Sequence, residues 1–259
     1  MPVVTVRLSH RVDGPASAPA VVLGPSLGTT LEMWDDLVDA LVPSYRVVRY
    51  DTRGHGGSPA PAGPYTTTEL AGDVLALADS LGLERFGFVG LSLGGAIAQT
   101  LAVTHPDRLT AVALCCTVPS FGGPQPWAER AAQVRAGGMQ VLAEATPGRW
   151  FADGFRARRP DVVEAYLDML TGIAPEGYAA CCEALGGFDL TDELARIAVP
   201  VRVIAGAEDP VATASGCKAM AAAIPGADLV VLEDASHMAS AERPDEFNRA
   251  VVEHLRRHL

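Results

Sequence analysis

The sequence predicts an α/β protein: a mostly parallel central sheet with helices on both faces, interrupted once by a helical insertion. Three observations carry that expectation. Short, continuously apolar runs recur along the chain, as in strands covered on both faces rather than one. Helix-like stretches separate them, and strand–helix–strand repetition builds a parallel sheet. One long stretch, Phe121 to Phe188, carries no strand pattern at all.

Taken in order, the strand candidates are Val3 to Leu8, Ala20 to Leu23, Arg46 to Tyr50, Phe86 to Val89, Ala111 to Cys115, Val201 to Ala205 and Asp228 to Leu232. The first alternates; most of the others are continuously apolar. The helix candidates are Leu31 to Leu41, Thr67 to Leu81, Gly94 to Thr104, Ser215 to Ala223 and Pro244 to Leu255. Thr66 or Thr67, just ahead of Glu69, suits an N-cap, and Pro244 suits the first turn of the last helix. Pro119, Gly122, Gly123, Pro124 and Pro126 mark the entry to the strandless stretch, and Gly186-Gly187 its exit. A segment of that length between the fifth and sixth strands reads as a helical lid over residues 121–188, on a core of residues 1–120 and 189–259.

Composition narrows the function. The 259 residues are 49% hydrophobic and 20% charged, the balance of a globular protein with a sizeable core. Wholly apolar runs such as Ala111 to Cys116 fall far short of the ~20 residues of a membrane helix. The net charge of −11 is spread along the chain without a basic stripe, so neither nucleic acid nor an anionic membrane is an expected partner. Cys115, Cys116, Cys181, Cys182 and Cys217 form neither a C-x-x-C motif nor a disulfide framework. Their odd number and the strand-like opening of the chain point to a reducing cytoplasm. Oligomeric state is not legible, and a homo-oligomer stays open.

The chemistry concentrates in a few places. Gly90-Leu91-Ser92-Leu93-Gly94 matches G-x-S-x-G between a strand and a helix, the context a nucleophile elbow requires. Its glycines allow a turn tight enough to hold Ser92 at an unfavourable dihedral. A serine hydroxyl is a weak nucleophile alone, so an acid and a histidine are expected further along, in that order. Among the histidines, only His237 falls between the last strand and the last helix. Asp209, at the end of the sixth strand, is the preferred acid over Glu208 and Asp234, because a buried carboxylate there fixes the imidazole tautomer. The oxyanion needs two backbone donors. Leu93 N–H follows the serine, and Leu27 N–H lies in the turn after Ala20 to Leu23, where Pro25 has no N–H to give. The glycine-rich stretch Asp51 to Ser58 reads as a structural loop, with Asp51 and Arg53 holding one another or the backbone.

With these residues the chain resembles the α/β-hydrolase superfamily over essentially its full length. More narrowly it is similar to 3-oxoadipate enol-lactonases. The resemblance rests on Ser26 to Asp35, Arg49 to Gly56 and Gly90 to Gly95, and on Leu114 to Thr117, Arg149-Trp150-Phe151 and Gly177 to Cys182. One departure is Pro25, where that family often has Asn. The resemblance implies an α/β-hydrolase fold and a cytoplasmic enzyme of aromatic catabolism that uses no metal or organic cofactor. It further implies a small-molecule lactone or ester substrate, opened by Ser92 through an acyl-enzyme. Such a lactone carries a carboxylate, and the acidic chain offers no long-range attraction to it. A local cation must therefore line the pocket. Arg149 beside Trp150 is the first candidate, ahead of Arg130, Arg135 and Arg156. Rival readings are a general carboxylesterase, a carbon–carbon bond hydrolase and a hydrolase-like receptor with little turnover. The filled serine, acid and histidine positions weigh against the receptor.

Overall fold

The computed structural model describes residues 5–259. Seven strands, β1 (His10–Asp13), β2 (Ala20–Gly24), β3 (Arg46–Tyr50), β4 (Phe86–Leu91), β5 (Leu109–Cys115), β6 (Val201–Gly206) and β7 (Asp228–Leu232), form one sheet in the order β1-β3-β2-β4-β5-β6-β7. Every neighbouring pair is parallel except β1 with β3, where His10 faces Tyr50. Strands β2, β4 and β6 are buried along their whole length, as strands with both faces covered must be.

The expected strand Val3 to Leu8 is not the edge strand. Val3 and Val4 lie outside the described residues, and Thr5 to Leu8 makes no ladder. Side chains take the backbone donors there instead: Val6 N–H donates to Asp73 and, just beyond, Ser9 N–H donates to Ser58. The pairing moves on to His10–Asp13, a more polar segment that alternation does not reveal.

Helices cover both faces. On one side lie α1 (Asp35–Leu41), entered through a 3₁₀ turn at Leu31–Trp34, and the terminal helix α11 (Pro244–His258). On the other lie α2 (Thr67–Ser80), α3 (Leu93–Thr104) and α9 (Ala214–Ala223). Thr66 caps α2 in a reciprocal capping box with Glu69. Helix α3 is buried from Leu93 to Ala102 on all sides, which makes it the central pillar behind the β4 turn.

Between β5 and β6 the chain is helical: α4 (Pro124–Gly137), α5 (Thr146–Trp150), α6 (Asp153–Arg158), α7 (Pro160–Thr171) and α8 (Pro175–Gly186). Helix α4 packs along α8. The base of this insertion is closed by a bridge between Ser120 and Asp189 and by Leu190 N–H donating to the Pro119 carbonyl at 2.9 Å. A short α10 (Ala239–Glu242) precedes α11. No helix among the described residues is long and apolar enough to cross a membrane.

The chain leaves β2 toward β3 on one side and β4 toward β5 on the other, so the order reverses between β2 and β4. In open α/β sheets the crevice at the carboxyl ends of such strands is where ligands bind. The turns after β2 and β4 both open there.

Candidate active site

Ser92 is the first residue after β4 and the N-cap of α3, with φ 55° and ψ −109°. Positive φ is costly for a residue with a Cβ. It persists here because the surroundings dictate it: Ser92 N–H donates to the Cys115 carbonyl at 2.9 Å, and the Thr117 hydroxyl donates to the Ser92 carbonyl at 3.0 Å. The turn also packs too closely for side chains at two positions. A Cβ at Gly94 would fall on the Gly24 carbonyl, and one at Gly90 would fall on the Gly94 carbonyl.

Asp209, in the loop after β6, and His237, in the loop after β7, meet at the same end of the sheet. His237 Nδ1 lies 2.8 Å from Asp209 Oδ2. Oδ1 of the same carboxylate accepts Val211 N–H at 2.7 Å and Ala212 N–H at 3.0 Å. An acceptor-only partner fixes the ring proton on Nδ1 and leaves the Nε2 lone pair free to take a proton. Ser92 and His237 line one cavity, and both are buried. The rival acids lie elsewhere: Asp234 pairs with Arg243 at the surface, and Glu208 is exposed.

Leu27 also lines this cavity. Its loop is drawn tight by Gly28, whose φ of 83° suits glycine. Gly28 N–H donates to His55 Nε2 at 3.0 Å, and Gly94 N–H donates to the Pro25 carbonyl at 3.1 Å. These bonds spend the neighbouring donors. Among the described residues, Leu27 N–H and Leu93 N–H have no protein acceptor. Burial pushes the His55 pKa down to about 4, so its ring is a neutral acceptor that holds the loop. Within the loop Asp51 to Ser58, Asp51 holds the backbone, one of the two arrangements expected for it, while Arg53 needs a correction. Arg53 pairs with Asp73 at 2.7 Å, not with Asp51, whose two oxygens take Leu31 N–H and Gly57 N–H.

The insertion supplies the far wall through Trp127, Arg130, Arg149, Trp150 and Tyr178. Burial and then the neighbouring Arg130 lower the Arg149 pKa. Arg130 donates Nε–H to the Tyr178 hydroxyl at 2.8 Å. Among the described residues neither arginine is paired with a carboxylate, whereas Arg135 is held by Glu176 and Glu183, and Arg156 by Asp153. Trp127 and Tyr178 are wall residues that sequence reading did not select. Nothing in α4 or α8 alone distinguishes the face that meets the cavity. The five cysteines are all buried, and burial pushes the Cys116 thiol well above its ordinary range, which removes it as a rival nucleophile. No cluster of three or more metal-ligating side chains occurs among the described residues.

A parallel sheet whose strand ends gather a serine elbow, an acid and a histidine is the architecture of one class of proteins, and the chain belongs to the alpha/beta hydrolase family, whose model matches residues 21–250. Within it, the chain is 41% identical over 252 residues to 3-oxoadipate enol-lactonase 2 of Acinetobacter baylyi, spanning 97% of this chain and 94% of that one. The crystal structure of the enol-lactonase from Burkholderia xenovorans LB400 superposes with a TM-score of 0.94 at 46% identity, covering 96% of each chain. A thermophilic esterase from Thermogutta terrifontis, solved with malate bound, gives a TM-score of 0.93 at 30% identity over 98% of this chain and 95% of that one.

Proposed function

We propose that this protein hydrolyses 3-oxoadipate enol-lactone to 3-oxoadipate, as the name of its Acinetobacter relative describes, in the cytoplasmic breakdown of aromatic compounds. Ser92 is the nucleophile, His237 the base and Asp209 the acid that orients it. His237 Nε2 takes the Ser92 proton as Oγ attacks the ring carbonyl. Leu27 N–H and Leu93 N–H hold the oxygen that becomes negative. The ring C–O bond then breaks, and the leaving oxygen departs as an enolate that takes the proton held by His237 and becomes the ketone, leaving His237 neutral again. Resonance in that enolate lightens the demand on a general acid. His237 next takes a proton from water, which attacks the acyl-serine and releases the linear acid.

Opening this lactone leaves one carboxylate that never reacts, and it needs a partner within the cavity. The observation that carries the substrate class is the pair Arg130 and Arg149, two guanidinium groups that line the cavity with Ser92 and have no carboxylate partner among the described residues. A related esterase was solved with a dicarboxylate, malate, which accords with an anion-accepting pocket. Trp150 and Trp127 supply the apolar part of the wall, and residues 121–188 act as the lid over the core of 1–120 and 189–259.

The test compares the enol-lactone with p-nitrophenyl acetate, which has no carboxylate. Ser92→Ala should abolish turnover of both. Arg149→Ala should raise KM for the lactone on the order of tenfold and leave the neutral ester unchanged, since a hydrogen bond to a charged group contributes about 1.5–3 kcal/mol. A protein that prefers the neutral ester, or an Arg149→Ala variant with an unaltered lactone KM, would overturn the substrate assignment.

A further inference from the structure

Glu242 ends α10, five residues beyond the histidine, and is buried. Its carboxylate meets no cation among the described residues. Instead Oε2 accepts Ser236 N–H at 2.6 Å and Oε1 accepts Ala152 N–H at 2.8 Å. Ser236 immediately precedes His237. Ala152 follows the Arg149-Trp150 wall of the insertion. On the other side of the histidine, Met238 N–H donates to the Trp150 carbonyl at 2.9 Å. The residues on either side of His237 are therefore tied to Glu242 and to the wall segment, and the Glu242 carboxylate itself bridges Ser236 and Ala152.

We propose that Glu242 is a positioning residue that locks the His237 loop to the Trp150–Ala152 segment, so that the base and the substrate wall are held as one body. The chemistry of the side chain supports this. Two N–H donors arriving from separate parts of the chain need two acceptor oxygens on one short group, which a carboxylate has and an amide lacks. Burial and the like charges of Glu208 and Asp209 oppose ionisation of Glu242, while the two N–H donors favour it. Tyr166, from α7, feels the charge of this carboxylate, but burial, first of all, raises its phenol pKa and keeps it neutral. A buried, cation-free carboxylate beside like charges is a poor choice for packing alone. It is a good choice for fixing two peptides at one distance.

The inference rests on His237 being the base, and the experiment separates the two. Glu242→Gln replaces one acceptor by a donor aimed at an N–H. Ala152→Pro deletes only the second donor: Ala152 has φ −60° and ψ 149° and Phe151 is extended at φ −129° and ψ 139°, a conformation that proline and its predecessor both accept. In the full chain, each variant should lower kcat for p-nitrophenyl acetate on the order of tenfold to a hundredfold, as misplacement of a catalytic group does. KM should change by less than about threefold, since binding of the neutral ester is untouched. Labelling of Ser92 by a fluorophosphonate should slow in parallel. The double variant should be no slower than Glu242→Gln, because the same link is already cut. A folded Glu242→Gln or Ala152→Pro protein that labels Ser92 at the wild-type rate overturns the proposal. So does failure of both variants to fold, which assigns Glu242 to stability alone. Turnover surviving in Ser92→Ala or His237→Ala would instead sink the triad, and with it the role of Glu242 in positioning a base, whatever the Glu242 variants do.

Discussion

Asp209 divides its carboxylate between His237 and its own loop: Oδ2 accepts the ring at 2.8 Å while Oδ1 accepts Val211 N–H at 2.7 Å. Asn at this position keeps one acceptor and turns a donor toward either the ring or the loop. If the loop keeps the oxygen, the imidazole meets an N–H and its proton shifts to Nε2, where it can no longer accept from Ser92. Asp209→Asn should therefore lose on the order of 10³–10⁴ in kcat with little change in KM. Steady-state kinetics and a thermal melt decide the matter: a shifted melting point with kcat intact would reduce Asp209 to a loop staple.

The strain at Ser92 predicts a trade between stability and activity. A non-glycine residue at φ 55° costs about 1–3 kcal/mol, and glycine removes that cost while adding about 0.5–1 kcal/mol of unfolded-chain entropy. Ser92→Gly should be inactive yet more stable than the wild type by about 1 kcal/mol. Urea denaturation with equal m-values for both proteins measures it directly. A less stable glycine variant would mean that the elbow is relaxed as it stands.

Arg130 and Arg149 are neighbours of like charge, and after burial the Arg130 charge is the next influence that lowers the Arg149 pKa. Arg130→Ala removes that repulsion as well as a donor, so its effect on lactone KM should be smaller than that of Arg149→Ala. The double variant should cost less than the sum of the two, with a coupling of about 0.5–3 kcal/mol. Arg135→Ala, whose guanidinium is occupied by Glu176 and Glu183, is the control and should leave KM unchanged. Equal effects of all three would point to diffuse charge rather than a site.

How far the sequence reached follows from what is local. Strands β2 to β6 were legible because their faces are largely covered, which writes them as apolar runs, and β7, though half-exposed at the sheet edge, still carries the apolar run Leu229 to Leu232. Strand β1 was not, since its ladder needs only backbone and its residues look to solvent at the sheet edge. Ser92 could be located from five consecutive residues, and Asp209 and His237 from their order after strands. The arginines could not be sorted. Arg130 and Arg135 sit on the same helix, and which one is neutralised depends on Glu176 and Glu183 in α8, brought near only by packing. Glu242 left no mark in the sequence at all, because both of its partners are backbone N–H groups.

Glu242 finally makes a pH-dependent prediction with a definite sign. Burial is the largest influence on its carboxyl and raises the pKa from 4.5 to about 7. In the unfolded chain the group loses its proton near its ordinary value, so between that pH and neutrality the folded state holds a proton that the unfolded state has released. The stability from this proton is complete below the ordinary carboxylate range and disappears as pH rises through about 7. Activity should run the other way, because the ionised group is the stronger acceptor for Ser236 N–H and Ala152 N–H. Glu242→Gln cannot titrate and lacks this slope. The stability difference between wild type and Glu242→Gln should therefore favour the wild type more at about pH 6 than at about pH 8, by about 1–2 kcal/mol. Urea titrations of both proteins at the two pH values read it. A difference that does not move between them would show that the carboxylate carries its charge throughout, and that the lock formed by Ser236, Glu242 and Ala152 is insensitive to pH.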